Sequence, residues 1–317
     1  MEYTDQHPIV SVIQEATLFV AGLTLLIYGA DRLVTEPSQL AMYYGVSEFF
    51  LGVTVVSVGT SIPEITTSIL SSYAGAGDLV VGNIVGSEVT QITVAVGVVA
   101  LISPVVADRR NVMVYGGSMT LAMVIMILTL NDGTVTFSEG FLMMLAYIQF
   151  IYTLYTNEGG GEVIEDDLEE KQPPIKTVPW IMGAVALVVL AGQVMVTNGV
   201  ALAETAGIPQ YLVGLVTGFG TTLPEITVAG IAARAGVEGI SIGSPLGSNI
   251  TDPVFSLGVG ALVADIHITN LTTTLTSTHY MLAASLAVIA LMYIQKGINR
   301  KTAVVCILLY LPSLLFV

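Results

Sequence analysis

The chain has 317 residues, of which 54% are hydrophobic and 10% charged, and its mean hydropathy is +0.83. A soluble domain carries about 25% charged residues, so this composition excludes a water-soluble globular protein and predicts an integral membrane protein. Twenty-four acidic residues against nine basic ones give a net charge of −15, which offers no basic surface for nucleic acid, and the one cysteine, Cys306, excludes an intramolecular disulfide.

Apolar stretches long enough to cross the ~30 Å hydrocarbon core as helices recur along the whole length. In chain order the predicted spans are 12–30, 48–73, 79–104, 112–131, 135–156, 177–203, 209–233, 240–264, 271–294 and 302–317. The short alternating segments of a β-barrel do not appear. Met1–Pro8 lacks the positive start of a signal peptide. The basic residues fall in alternate loops: Arg32, then Arg109 and Arg110, then Lys171 and Lys176, then Arg234, then Lys296, Arg300 and Lys301. The positive-inside rule places these five loops in the cytoplasm and both termini outside, with the protein in the cell membrane. Seven of the acids lie between Glu158 and Glu170, which reads as a solvated cytoplasmic linker, 157–176, between a first five-helix repeat, 1–156, and a second, 177–317. An odd number of spans per half sends the second half into the membrane from the opposite side. The expected fold is therefore all-α and integral to the membrane, with ten transmembrane helices in two inverted-topology repeats. Such proteins place their site near the midplane, where broken helices meet.

Residues 51–102 and 212–263 align without a gap at an offset of 161, with 18 identities in 52 positions. The first contains Gly59-Thr60-Ser61-Ile62-Pro63-Glu64 and then Gly86-Ser87-Glu88-Val89-Thr90-Gln91. The second contains Gly220-Thr221-Thr222-Leu223-Pro224-Glu225 and then Gly247-Ser248-Asn249-Ile250-Thr251-Asp252. An ionisable group at membrane depth is costly and marks an ion or substrate path; here the cost recurs at equivalent places. Pro63 and Pro224 each remove an N–H, freeing the carbonyls of Gly59 and Gly220, which something in the site must satisfy. Glu64 and Glu225 follow the prolines, and Thr60 and Thr221 precede them by one turn. Carboxylate, hydroxyl and carbonyl oxygens without His or Cys suit Ca²⁺ or Na⁺ and not zinc or copper. Gly82 and Gly86, like Gly243 and Gly247, are spaced for close helix approach. Ser87 and Ser248 follow, with Gln91 and Asp252 one turn further on the same face. Gly75-Ala76-Gly77-Asp78 matches a string found in intramembrane aspartyl proteases, but no Tyr-Asp partner motif exists, and the chain is not expected to be an enzyme. Trp180 reads as an interfacial anchor.

The two blocks resemble the α-repeats of the sodium/calcium exchanger family, within the cation/calcium antiporter superfamily. The family pattern is G-T-S-x-P-E in one helix and G-S-N-x-x-[ND] in the next, in both halves. The resemblance implies a secondary antiporter in which Glu64 and Glu225 are paired calcium-coordinating carboxylates. Thr60, Thr221, Ser87 and Ser248 would supply hydroxyl or backbone oxygens to Na⁺ or Ca²⁺, and Gln91 and Asp252 would sit at the centre. It also implies that the first and sixth spans slide over the rest. No cofactor is expected; the partners are the transported ions and the lipid bilayer, with the monomer as the functional unit. The chain departs from the pattern where Glu88 replaces the Asn kept at Asn249, where Gln91 replaces Asn or Asp, where Thr90 and Thr251 replace apolar residues, and where Pro253 follows Asp252. Pro253 is expected to disfavour helical geometry at Asp252. Glu88 either adds an acid to the site or sits neutral against another helix. Na⁺ is the expected driving ion because the hydroxyl ligands are retained; H⁺ is the alternative, and a passive channel is disfavoured by the inverted design.

Overall fold

The computed structural model describes residues 8–107, 109–157, 173–205, 220 and 222–315. Its helices are α1 (Pro8–Tyr44), α2 (Glu48–Thr60), α3 (Ile62–Tyr73), α4 (Gly77–Ile102), α5 (Arg109–Leu130), α6 (Phe137–Asn157), α7 (Pro174–Thr205), α8 (Leu223–Ala235), α9 (238–263), α10 (Leu271–Gln295) and α11 (Arg300–Leu308). Six of them (α1, α4, α5, α6, α7 and α10) are long and apolar enough to cross a membrane, or seven if the bent pair α2–α3 is one span. The other three expected spans differ for separate reasons. Most of the first half of 209–233 lies outside the described residues, as does the acidic stretch from Glu158 to Glu170. The span at 240–264 is helical as α9 but carries Ser241, Ser244, Ser248, Asn249 and Asp252, all buried. The last, α11, is nine residues long and ends in a 3₁₀ turn at Leu311–Leu315.

Helix α1 corrects the expected boundary. It does not stop near residue 30 but runs on to Tyr44, so Arg32 lies within a helix and not in a loop. At 1.5 Å per residue α1 is about 55 Å long, well beyond the hydrocarbon thickness. Arg32 pairs with Glu36 one turn on, at 3.4 Å, and its guanidinium stands 5.6 Å from the Tyr28 ring and 5.9 Å from that of Trp180 on α7. The indole and the cation thus lie side by side, within cation–π range. Gly22 lets the backbones of α1 and α7 touch: a Cβ there would lie 2.9 Å from Met195 N and 3.0 Å from Ala191 O.

The apolar interior has two parts. The larger joins α4, α5, α6, α9, α10 and α11 through residues such as Ile84, Met119, Met126, Leu154 and Ile250. The smaller joins α1 and α7 to α8 and part of α2, through Leu26, Leu33, Val188, Met195 and Val228. Helix α9 is clamped against α2, since a Cβ at Gly247 would lie 2.5 Å from the Val53 backbone and one at Gly243 2.8 Å from Phe49 O. That is the close approach expected of the second glycine pair. The equivalent partner of Gly82 and Gly86, residues 213–217, falls outside the described residues.

Element boundaries repeat at the offset of 161: α3 and α8 start at Ile62 and Leu223, and α4 and α9 at Gly77 and Glu238. Each long pair is interrupted by a π-helical turn at the same place, Gln91–Ala95 and Asp252–Ser256. Two short antiparallel strand pairs link the halves. In one, β1 (Val105–Val106) meets β4 (Gly297–Ile298); in the other, β2 (Thr134–Val135) meets β3 (Ile266–His267). Asp78, from the protease-like string, accepts hydrogen bonds from the Thr269 backbone N–H at 3.0 Å and from the Thr269 hydroxyl. Its role is to fasten the start of α4 to the turn before α10.

Candidate ion-binding site

Two chain breaks position the repeated glutamates. Ser61, with φ −77° and ψ 5°, separates α2 from α3 and the two helices bend by 45°; Thr222, with φ −89° and ψ 0°, precedes α8. Proline follows at the second helical position in both cases, where its missing N–H costs nothing. Glu64 and Glu225 therefore stand in the first turns of α3 and α8, where unpaired amide N–H groups and the helix dipole favour negative charge. Both side chains are fully buried.

The remaining polar groups come from α4 and α9. Ser87 Oγ donates to Glu64 Oε1 at 3.0 Å. Gln91 and Asp252, each opening a π turn, face one another: Gln91 Nε2 donates to Asp252 Oδ2 at 3.2 Å. Asn249 Nδ2 donates both to Gln91 Oε1 at 2.9 Å and to the Pro245 carbonyl at 2.8 Å. Ser256 Oγ donates to Asp252 Oδ1 at 2.9 Å. Pro253 does not displace Asp252 from helical geometry, contrary to expectation: Asp252 has φ −68° and ψ −45°. The lost N–H is absorbed by the wider π turn, and the matching turn at Gln91 precedes Ile92, so proline is not what creates it.

Unsatisfied oxygens mark what the site lacks. Glu64 Oε2, both oxygens of Glu225, both of Glu88, Ser248 Oγ, Asn249 Oδ1 and Thr222 Oγ1 are buried without a hydrogen-bond partner. Glu64 lies within electrostatic range of Asp252, and Glu225 of both. Buried polar groups are almost always paired, and a buried charge without a counter-charge is costly, so these oxygens are open to a cation as partner. Among the described residues no three acidic, His or Cys side chains converge tightly enough to share one metal ion. Neutral oxygens must therefore complete any shell, as hard cations accept.

The structure brings together Glu64, Glu225, Ser87, Gln91 and Asp252, with Ser248 buried one turn before Asp252 on α9 and Thr60 buried at the end of α2. The Thr60 hydroxyl donates to the Val56 and Ser57 carbonyls at 3.2 Å and lies close to Glu225. Thr221 lies outside the described residues. Sequence reasoning missed Asn249 and Ser256 as members, and also a row of buried serines, Ser57, Ser61, Ser68 and Ser72, at helical spacing around Glu64. The spacing was the available signal; the second half has Ala229 and Ala233 where the first has Ser68 and Ser72. A cavity of about 340 Å³ lies between α3, α7 and α8, lined by Pro63, Thr66, Thr67, Gln193, Thr197 and Pro224. It touches both prolines that precede the glutamates.

Comparison with known proteins bears on the family and the fold. The family described as sodium/calcium exchanger protein matches the chain twice, at residues 15–156 and 176–317. The sodium/calcium exchanger MaX1 of Methanosarcina acetivorans is 29% identical, over 94% of this chain and 96% of its own. A putative antiporter, CaxA of Alkalimonas amylolytica, is 32% identical over 93% and 95%. A solved structure of the sodium–calcium exchanger NCX_Mj, soaked with zero Na⁺ and Ca²⁺, superposes with a TM-score of 0.81 at 26% identity, covering 96% of this chain and 99% of that one.

Proposed function

Starting from the fact that the chain belongs to the sodium/calcium exchanger family, we propose that it is a secondary antiporter exchanging Na⁺ for Ca²⁺ across the cell membrane. The observation that carries this reading is the pair Glu64 and Glu225. They come from equivalent broken helices in the two halves, are fully buried, and have three of their four oxygens unpartnered. A divalent ion neutralises both carboxylates at once. Several Na⁺ share the same charge with the help of the Thr60, Ser87, Ser248 and Asp252 oxygens, and Thr221 completes the set. Coupling needs only that the two ions compete for overlapping oxygens, so that the loaded protein changes state and the empty one does not.

The two halves act as inverted repeats, with ten spans, the basic loops in the cytoplasm and both termini outside. Alternation falls to α1 and α7, which share an apolar cluster with α8 and part of α2, separate from the main core. The cavity beside Pro63 and Pro224 opens along α7, so a sliding α7 would open and close it. The monomer is the proposed functional unit.

The test uses purified protein in proteoliposomes. An outward Na⁺ gradient should drive ⁴⁵Ca²⁺ uptake at constant pH with a protonophore present. Uptake that ignores Na⁺, follows a pH gradient and collapses with the protonophore would replace sodium by protons as the driving ion.

A further inference from the structure

We propose that the turn after α4 and the turn after α10 together bind the phosphate of an anionic membrane phospholipid. The proposal needs only that the chain spans a membrane, so it stands apart from the exchange reading above.

The chain carries 24 acids against nine basic residues, yet five of the nine meet on one rim. Strand β1, which follows α4, pairs with β4, which follows α10, and the Ala107 N–H donates to the Lys296 carbonyl at 3.1 Å. That joint brings Arg109 and Arg110, at the start of α5, beside Lys296, Arg300 and Lys301. Arg109 crosses it: Nε donates to the Tyr293 carbonyl at 3.3 Å, and the guanidinium stands 5.1 Å from the Tyr293 ring. All five are exposed. Among the described residues Arg109, Lys296, Arg300 and Lys301 have no carboxylate at ion-pair distance; the pair that is present, Arg32–Glu36, lies elsewhere.

Acids are scarce around this rim. Residues 103–130 contain only Asp108, which lies outside the described residues, and 271–308 contain none. Helix α8 approaches the end of α4 at Gly230 and Ile102, and one turn on it adds a further cation, Arg234. On the other side of β1, Glu238 lines a cavity of about 200 Å³, with Glu48 beside it against Gly239. Six cations against these three acids leave a net of +3.

The cations stand where their own helices disfavour them. A positive charge in the first turn opposes the helix dipole, and this occurs twice, at Arg109–Arg110 and at Arg300–Lys301. Lys296 is the one non-glycine residue at positive φ, 55°, among the described residues, a place that glycine or asparagine fills with less strain. The positive-inside rule asks for basic loops, but not that two loops distant in sequence be joined. A phosphate shared by both turns offsets these costs, since helix starts and guanidinium groups recognise it together. The height of the rim makes that phosphate a lipid's. Helices α4 and α10 are 26 and 25 residues long, about 38 Å, so their ends reach the headgroup layer. Val106, Met113 and Ile294, exposed beside the cations, offer apolar surface to the acyl chains.

The experiment titrates the purified full-length protein, in neutral detergent, with phosphatidylglycerol, phosphatidylcholine or soluble glycerol phosphate. Native mass spectrometry counts retained lipid, and the thermal unfolding midpoint reports stabilisation. The native protein should retain phosphatidylglycerol and unfold several degrees higher with it than with phosphatidylcholine, and glycerol phosphate should do neither. Each surface cation contributes about fivefold to such binding. The triple variant Lys296→Asn, Arg300→Gln, Lys301→Gln should therefore bind phosphatidylglycerol roughly a hundredfold more weakly, with an asparagine that suits the positive φ. Lys176→Gln, at the start of α7, should leave the affinity unchanged. Phosphatidylglycerol and phosphatidylcholine acting alike on the native protein overturns the proposal; that result also follows if the chain's own acids at 158–170 cover the rim. A triple variant of native affinity overturns it, and so does glycerol phosphate matching the lipid, which makes the site one for a soluble anion. Where the triple variant fails to fold, Arg300→Gln with Lys301→Gln replaces it, with an expected loss of about 25-fold.

Discussion

Glu64→Gln isolates charge from shape. The amide oxygen keeps the acceptor that Ser87 Oγ uses at 3.0 Å, and Gln matches Glu in volume, so the fold and the α3 break should survive. What is lost is one unit of negative charge facing the ion. At ~4 Å and an effective dielectric of about 20, a unit pair is worth about 4 kcal/mol, so a divalent ion loses about 8 and a single Na⁺ about 4. The relief of desolvating one carboxylate less is common to both ions and cancels in the comparison. The difference, about 4 kcal/mol, corresponds to roughly a thousandfold loss of Ca²⁺ affinity relative to one Na⁺. Calorimetric titration of Ca²⁺ and Na⁺ into detergent-solubilised protein measures it, with ⁴⁵Ca²⁺ flux as the functional readout. Glu225→Gln should behave alike. Near-normal Ca²⁺ flux in both variants would refute the assignment of the two glutamates as the divalent ligands.

Ser256→Ala removes the hydroxyl that donates to Asp252 Oδ1 at 2.9 Å. A hydrogen bond to a charged group contributes about 1.5–3 kcal/mol, so apparent Ca²⁺ affinity should fall about tenfold or more while the protein stays monodisperse; an unchanged affinity removes Ser256 from the site. Asn249→Ala frees Gln91 from its anchor and leaves the Pro245 carbonyl unpaired, and thermal unfolding in detergent should register a loss of about 1–3 kcal/mol. Gly247→Ala places a methyl 2.5 Å from the Val53 backbone, which cannot yield as a flexible side chain can; size-exclusion profiles should show an aggregated or absent peak, and a normal peak contradicts the α2–α9 clamp. Single-cysteine labelling in a Cys306→Ala background should find Asp132 and His267 reactive from outside and Arg110 from inside, and the reverse pattern inverts the topology.

The large-scale plan was readable because it depends on hydropathy and on an ungapped repeat. The α2–α3 break followed from Pro63, and the central place of Gln91 and Asp252 from the resemblance to the family's repeats. The length of α1 was not readable: Arg32 looks like a loop residue until Glu36, Tyr28 and Trp180 are seen around it. The geometry at Asp252 was misjudged because proline's local preference was weighed without the π turn, which recurs at Gln91 in the first half where no proline follows. Asn249 escaped because its acceptor on Gln91 is 158 residues away along the chain; Ser256 lies one turn from Asp252, a spacing that was legible but that its serine alone does not distinguish from a hydroxyl bonded to its own backbone.

The crossed strand pairs bear on how the molecule is made. Val105 waits for Ile298, and Thr134 for His267, so neither rim of the first half is closed by its own sequence. During synthesis the early helices must sit in the bilayer with those edges open until residues 266–298 have been made. Each half is then a template for the other and not a module that matures alone. Two separately translated halves would be expected to persist only when inserted together, and a nascent chain arrested before Gly297 should remain open to quality-control proteases at the β1 rim.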